Sequence, residues 1–279
     1  MRAVPAFMLA LSLAAPAAAQ VMTPPPPAGR IVEGFLPHRA TYDLKLKSAR
    51  WSSSISSLSG RLVSEFDDVC AGFTFNQRLV TDLVDGEGKA SSGNFWVSTY
   101  ESADGAAFRF SRNNTVDGVP VEQARGTASR AGDGTGKVVF TLPDGKTASL
   151  PAGVIFPTEF MGRVVAAALA GKRSLSIVTF EGNTDGKIYD AFAAIGAERA
   201  AAAGDLGVPG GEALEGLKAW PVTISYYVRG EKEDLPEYET SFTMFENGVT
   251  SAVTLDYGDF TLAGTLRRID ALKKTDCAG

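Results

Sequence analysis

The chain has 279 residues, 44% of them hydrophobic and 21% charged, with a formal net charge of -5. That mild negative balance, with no basic patch interleaved with aromatics, excludes a nucleic-acid surface. No apolar run after the first residues approaches the roughly 20 needed to span a bilayer, which excludes a transmembrane anchor.

The amino terminus reads MRAVPAFMLALSLAAPAAAQ. Arg2 supplies a short positive region, Ala6 to Ala15 an apolar stretch, and Ala17 to Ala19 a small-residue cleavage site. This is the layout of a cleaved secretory signal over residues 1–19, so the chain is expected to be exported. No cysteine follows the cleavage site, which argues against a lipoprotein anchor. Residues 20–33 hold four consecutive prolines, Pro24 to Pro27, and read as an extended linker. A single folded domain is expected over residues 34–279.

Short alternating segments then follow one another. Ala40, Tyr42, Leu44 and Leu46 alternate with polar neighbours, as in a strand with one dry face. Further strands are expected at Ser59 to Phe66, Gly72 to Leu83, Phe95 to Tyr100 and Ala107 to Phe110. Others follow at Gly126 to Arg130, Lys137 to Leu142 and Thr147 to Leu150. Asp85-Gly86, Asp117-Gly118 and Asp144-Gly145 supply turns that accept positive φ. One helix is expected from Thr158 as N-cap, with Glu159 at the positive end of its dipole and Gly171 as its stop. Its apolar face includes Phe160, Val164 and Leu169. Strands resume at Leu175 to Phe180. Ala193 to Ala203 reads equally as a second helix or as a strand running into a flexible loop. Trp220 to Val228, Tyr238 to Phe245, Thr250 to Tyr257 and Phe260 to Ile269 complete the pattern. Many short strands with tight turns predict an all-β antiparallel protein with one main α-helix packed on its sheet: a large barrel, an open curved sheet or a sandwich.

No catalytic motif is complete, so no enzyme, cofactor or metal is expected. His38, the only histidine, lacks both a cluster and a Gly-x-Ser-x-Gly elbow and reads as structural. Gly132 to Lys137 misses phosphate-loop spacing and reads as a hairpin. Asn183 to Gly186 lacks the terminal acid of a calcium loop and reads as a turn. Strand aromatics such as Phe73, Phe75, Phe95 and Phe242 fit a filled core better than a cavity for an acyl chain. In an oxidising compartment, Cys70 and Cys277 read as one disulfide, against the alternative of two buried thiols.

Several segments together resemble the EipB-type cell-envelope integrity family. They are LPHRATYDLKL, EFDDVC, IFPTEFMGRVVAAALAGK, FEGNTDGKIYD, WPVTISYYV and the terminal DCAG. The resemblance implies a periplasmic β-spiral, a disulfide joining Cys70 and Cys277, and a role in envelope stability under stress. From it follow two functional expectations. One is a non-enzymatic protein that binds a periplasmic protein or envelope component. The other is a carrier of a lipid or acylated ligand, with Phe160, Val164 and Leu169 covering the cleft.

Overall fold

Alternation becomes strand structure in the first element, β1 (His38–Ala49), where Ala40, Tyr42 and Leu44 are at most 1% exposed and Arg39 and Lys45 face solvent. The computed structural model describes residues 29–232 and 235–276. The signal peptide, Pro24 to Pro27 and Cys277 lie outside the described residues. Packed structure reaches back past the expected start at Gly34. Ile31 and Val32 are buried against Phe66 and Phe73, so the end of the expected linker belongs to the fold.

Seven strands follow β1 in a meander: β2 (Ile55–Asp68), β3 (Gly72–Asp85), β4 (Ala90–Ser102), β5 (Ala107–Val116), β6 (Val119–Arg130), β7 (Gly136–Leu142) and β8 (Thr147–Leu150). After β9 (Val154–Ile155) the chain enters helix α1 (Pro157–Leu169), then β10 (Ser174–Thr179) and β11 (Tyr189–Ile195). A single turn of helix, α2 (Ala203–Leu206), precedes β12 (Ala219–Val228), β13 (Tyr238–Phe245), β14 (Thr250–Asp256) and β15 (Phe260–Ala271). All fifteen strands form one sheet, ordered β8 through β1, then β15 down to β9. The first and last strands therefore pair at its middle, from His38 opposite Ala271 to Ala49 opposite Phe260. Right-handed twist and bulges such as that at Thr41/Tyr42 curl the sheet until it is a nearly closed barrel.

The seam lies between β8 and β9, which are consecutive in the chain yet occupy opposite ends of the sheet. Several side chains bridge it, Arg130 among them. Arg130, at the end of β6, donates to the carbonyls of Gly105 (2.7 Å) and Val154 (3.2 Å) and to Glu159 of α1 (2.7 Å). Its side chain is 10% exposed, so these charge-assisted bonds form away from bulk water, where they are strongest.

Helix α1 is the crossover of the one parallel strand pair, β9 with β10. It packs on β10 to β13 through Phe160, Val164 and Ala168. The ambiguous segment is strand only to Ile195, then loop, with the single turn of α2 starting at Ala203; within β11, Ala191, Ala193 and Ile195 are buried and alternate with exposed Phe192 and Ala194. The small alanine side chains belong to the cluster that holds α1 against the sheet. The expected cap at Thr158 is corrected. The N-cap position is Phe156 and carries no side-chain cap. The orphan amides are taken instead by Glu101 of β4, whose Oε2 accepts from Thr158 N–H (2.8 Å) and Oε1 from Glu159 N–H (3.1 Å).

Candidate functional site

Strand register decides which side chains meet inside the barrel. Ser64 pairs with Gln77, Gln77 with Val97, and Val97 with Arg112, so one row crosses β2 to β5. The next row runs Tyr42, Leu62, Leu79, Phe95. Both rows line the lumen.

One end of the interior is filled. Phe108 stacks on Phe156 at 4.8 Å between centroids, and Phe110 meets Phe180 edge-on at 5.5 Å. The rest is open. Beneath the start of α1 lies a cavity of about 270 Å³, walled by Phe35, Phe66, Phe75, Phe160, Phe242 and Met161. It shares Phe75, Gln77, Glu181 and Thr240 with a second chamber of about 500 Å³, which shares Leu79, Phe95 and Arg112 with a third of about 400 Å³. These volumes lie near or within the ~300–1,000 Å³ typical of small-molecule sites. The preference for a wholly filled core is thus corrected: aromatics fill one end and line a cavity elsewhere.

The walls differ in chemistry. The first chamber is almost wholly apolar. Of the polar residues on its wall, Tyr42 donates to the Thr250 carbonyl at 2.7 Å and His38 Nδ1 lies 2.7 Å from the Leu36 carbonyl, while Gln77 and Glu181 sit where it meets the second chamber. Burial holds the His38 pKa below the ordinary value. His38 therefore sits neutral at the start of β1, with a wall role and no titrating partner.

The second chamber carries charge. Arg112 faces Glu122 at 3.2 Å and lies over the Phe95 ring, 5.4 Å from its centroid. Glu181 and Asn183 enter from the segment after β10. Gly182 between them has φ +72, and a Cβ there would lie 2.8 Å from the Phe110 ring. Only glycine allows the chain to turn so closely over that ring. Glu181 accepts from Thr179 Oγ1 at 2.9 Å, and burial raises its pKa. Tyr226 and Tyr238 stack at 4.3 Å, and Tyr189 meets both edge-on.

Of the expected covering residues, Phe160 lines the apolar chamber. Val164 is buried in the helix–sheet core behind it. Leu169, the last residue of α1, is 53% exposed and lines none of the three chambers. Glu101 and Arg112 were not singled out from the sequence, and Asn183 entered there only as the first residue of a turn. The one available signal was Glu181-Gly182-Asn183 itself: two polar residues flanking a glycine directly after an apolar strand. Cys70 lies in the tight turn between β2 and β3 with φ +64. Arg30 donates to its carbonyl (2.8 Å), and Asp68 accepts its amide (3.0 Å).

Comparison with known proteins agrees with this architecture. Residues 30–273 match the EipB-like family. The cell envelope integrity protein EipB of Brucella abortus is 34% identical over 251 residues, covering 88% of each chain. The crystal structure of a beta-barrel-like protein of a domain of unknown function from Brucella abortus superposes with a TM-score of 0.78 at 33% identity. The match covers 86% of this chain and 99% of that one.

Proposed function

This chain belongs to the EipB-like family, and from that membership we propose that it is a periplasmic binding protein that supports cell-envelope integrity by holding an acyl-chain-bearing envelope component in its lumen, without a reaction of its own. The Brucella relative's name describes a role in integrity and not a reaction, which supports the reading. The amino-terminal signal supports the compartment. The observation that carries the ligand class is the apolar chamber beneath α1, where five phenylalanine rings surround open space. Cores normally close such space to crystal-like density, and a void costs stability.

The same reading includes a bond between Cys70 and Cys277. It would tie the chain's end to the β2–β3 turn and fix β15 beside β1. A protein partner docking on the sheet edge is the weaker alternative. The edge strands β8 and β9 have four and two residues, too short to template a long added strand.

The test is titration of the mature protein with a fluorescent fatty acid such as cis-parinaric acid. Saturable binding is expected, reduced at least tenfold in Gln77→Trp, which places a large ring where the first two chambers join. Absence of saturable binding, or equal binding by a well-folded Gln77→Trp variant, would overturn the reading.

A further inference from the structure

The second chamber contains more hydrogen-bond acceptors than the protein itself satisfies. Five carboxylates line it: Glu122, Glu181, Asp185, Glu237 and Glu239. Three are matched by cations. Arg112 faces Glu122, and Lys187 Nζ reaches Glu237 (2.7 Å) and Asp185 (3.5 Å). Glu239 has only the Ser225 hydroxyl and Glu181 only the Thr179 hydroxyl. Among the described residues, neither carries an ion pair.

A second observation points the same way. Asn183 is 6% exposed and lines this chamber. Its amide nitrogen donates to the Lys187 carbonyl at 2.8 Å, yet its Oδ1 is buried without a partner. A buried acceptor left unmade costs free energy comparable to a lost hydrogen bond. The complement of an unpaired carboxylate and an unpaired amide oxygen is a donor-rich cation. An anionic group would meet Glu181 and Glu239; the lining cation Arg112 is ion-paired with Glu122 at 3.2 Å, although its Nε makes no hydrogen bond.

Glu181 walls both this chamber and the apolar one. We propose that the chamber around Glu181 and Asn183 is a headgroup site for a protonated amine, so that the ligand is an amphiphile with a cationic headgroup and its chain beneath α1. The proposal rests on the reading of the lumen as an acyl-chain site and names the ligand's polar end.

Isothermal titration of the mature protein with dodecylammonium, dodecyl maltoside and dodecyl sulfate, each below its micelle concentration, tests it. Dodecylammonium is expected to bind about tenfold or more tighter than dodecyl sulfate, a difference the size of one close charge pair. Glu181→Gln should lower dodecylammonium affinity about tenfold and leave dodecyl maltoside within about twofold. Glu212→Gln, at an exposed position, should change neither. Equal affinity for the three headgroups, or an equal loss in Glu212→Gln, overturns the headgroup site while chain binding stands. Binding of none of the three overturns the chain reading and this proposal together.

Discussion

The carboxylate of Glu101 caps the helix that begins beside Thr158. Its two oxygens accept the Thr158 and Glu159 amides at 2.8 and 3.1 Å, although the residues are 57 positions apart. Glu101 is 1% exposed on β4, so a central strand holds the end of α1 that covers the apolar chamber. Glu159 in turn joins Arg130 at the seam and Arg163 one turn along the helix. Helix position, seam closure and chamber roof are thus one network.

Glu101→Ala leaves two buried amides without acceptors. A loss of about 1–3 kcal/mol per orphaned group is expected, read as a clear fall in melting temperature by calorimetry. A melting temperature equal to that of the unaltered protein would show that the cap is not structural.

Burial pushes the Glu101 pKa from 4.5 up to about 8, outweighing the Thr158 and Glu159 amides that pull it down, while the nearby Glu159 carboxylate adds to the rise. Arg130 and Arg163 face the network through Glu159. The folded state then holds a proton that the unfolded chain has released. Glu101's contribution to stability is full below pH 4.5 and is lost as pH rises through about 8. Urea unfolding at pH 5 and pH 7.5 should show this fall, up to about 1.4 kcal/mol per pH unit from this group. Glu101→Gln should flatten it, and an unchanged slope in that variant would contradict the assignment.

Gly182→Ala forces a side chain into the left-handed region and against the Phe110 ring. The strain should cost about 1–3 kcal/mol and should weaken fatty-acid binding, because the same turn places Glu181 and Asn183 in the lumen. Unaltered melting and binding would show that the turn is not tight.

The Cys70–Cys277 bond predicts that the oxidised mature protein takes up no iodoacetamide until reduced. Closing a loop on the order of 200 residues stabilises by at most about 5 kcal/mol, so Cys277→Ser should lower the melting temperature by several degrees. Two alkylated thiols in the unreduced protein would refute the bond.

Much of the sheet was legible in the sequence because its signal is local. The alternation of Ala40, Tyr42 and Leu44 is the burial pattern of β1 itself. Helix α1 was legible for the same reason, but its cap was not: Thr158 has the right chemistry for an N-cap, and the group that does the work lies on β4. Ala193 and Ala194 fit either structure by propensity, and pairing with Ile224 and Thr223 of β12 carries the strand through them to Ile195. The lumen was the least legible part. Phe75, Phe110 and Phe242 look alike in sequence, yet Phe110 packs against Phe140 and Phe180 while Phe75 and Phe242 border open space. Only the curl of the whole sheet separates them.

The central claim is that the lumen holds an acyl-chain ligand. Native mass spectrometry of the mature protein, purified from the periplasm without detergent, tests it most directly. A second charge-state series is expected, heavier by one acyl-chain molecule, that collapses to the bare polypeptide on activation and is lost in Gln77→Trp. A spectrum showing only the bare polypeptide mass, from protein that also fails to take up added fatty acid, would contradict it.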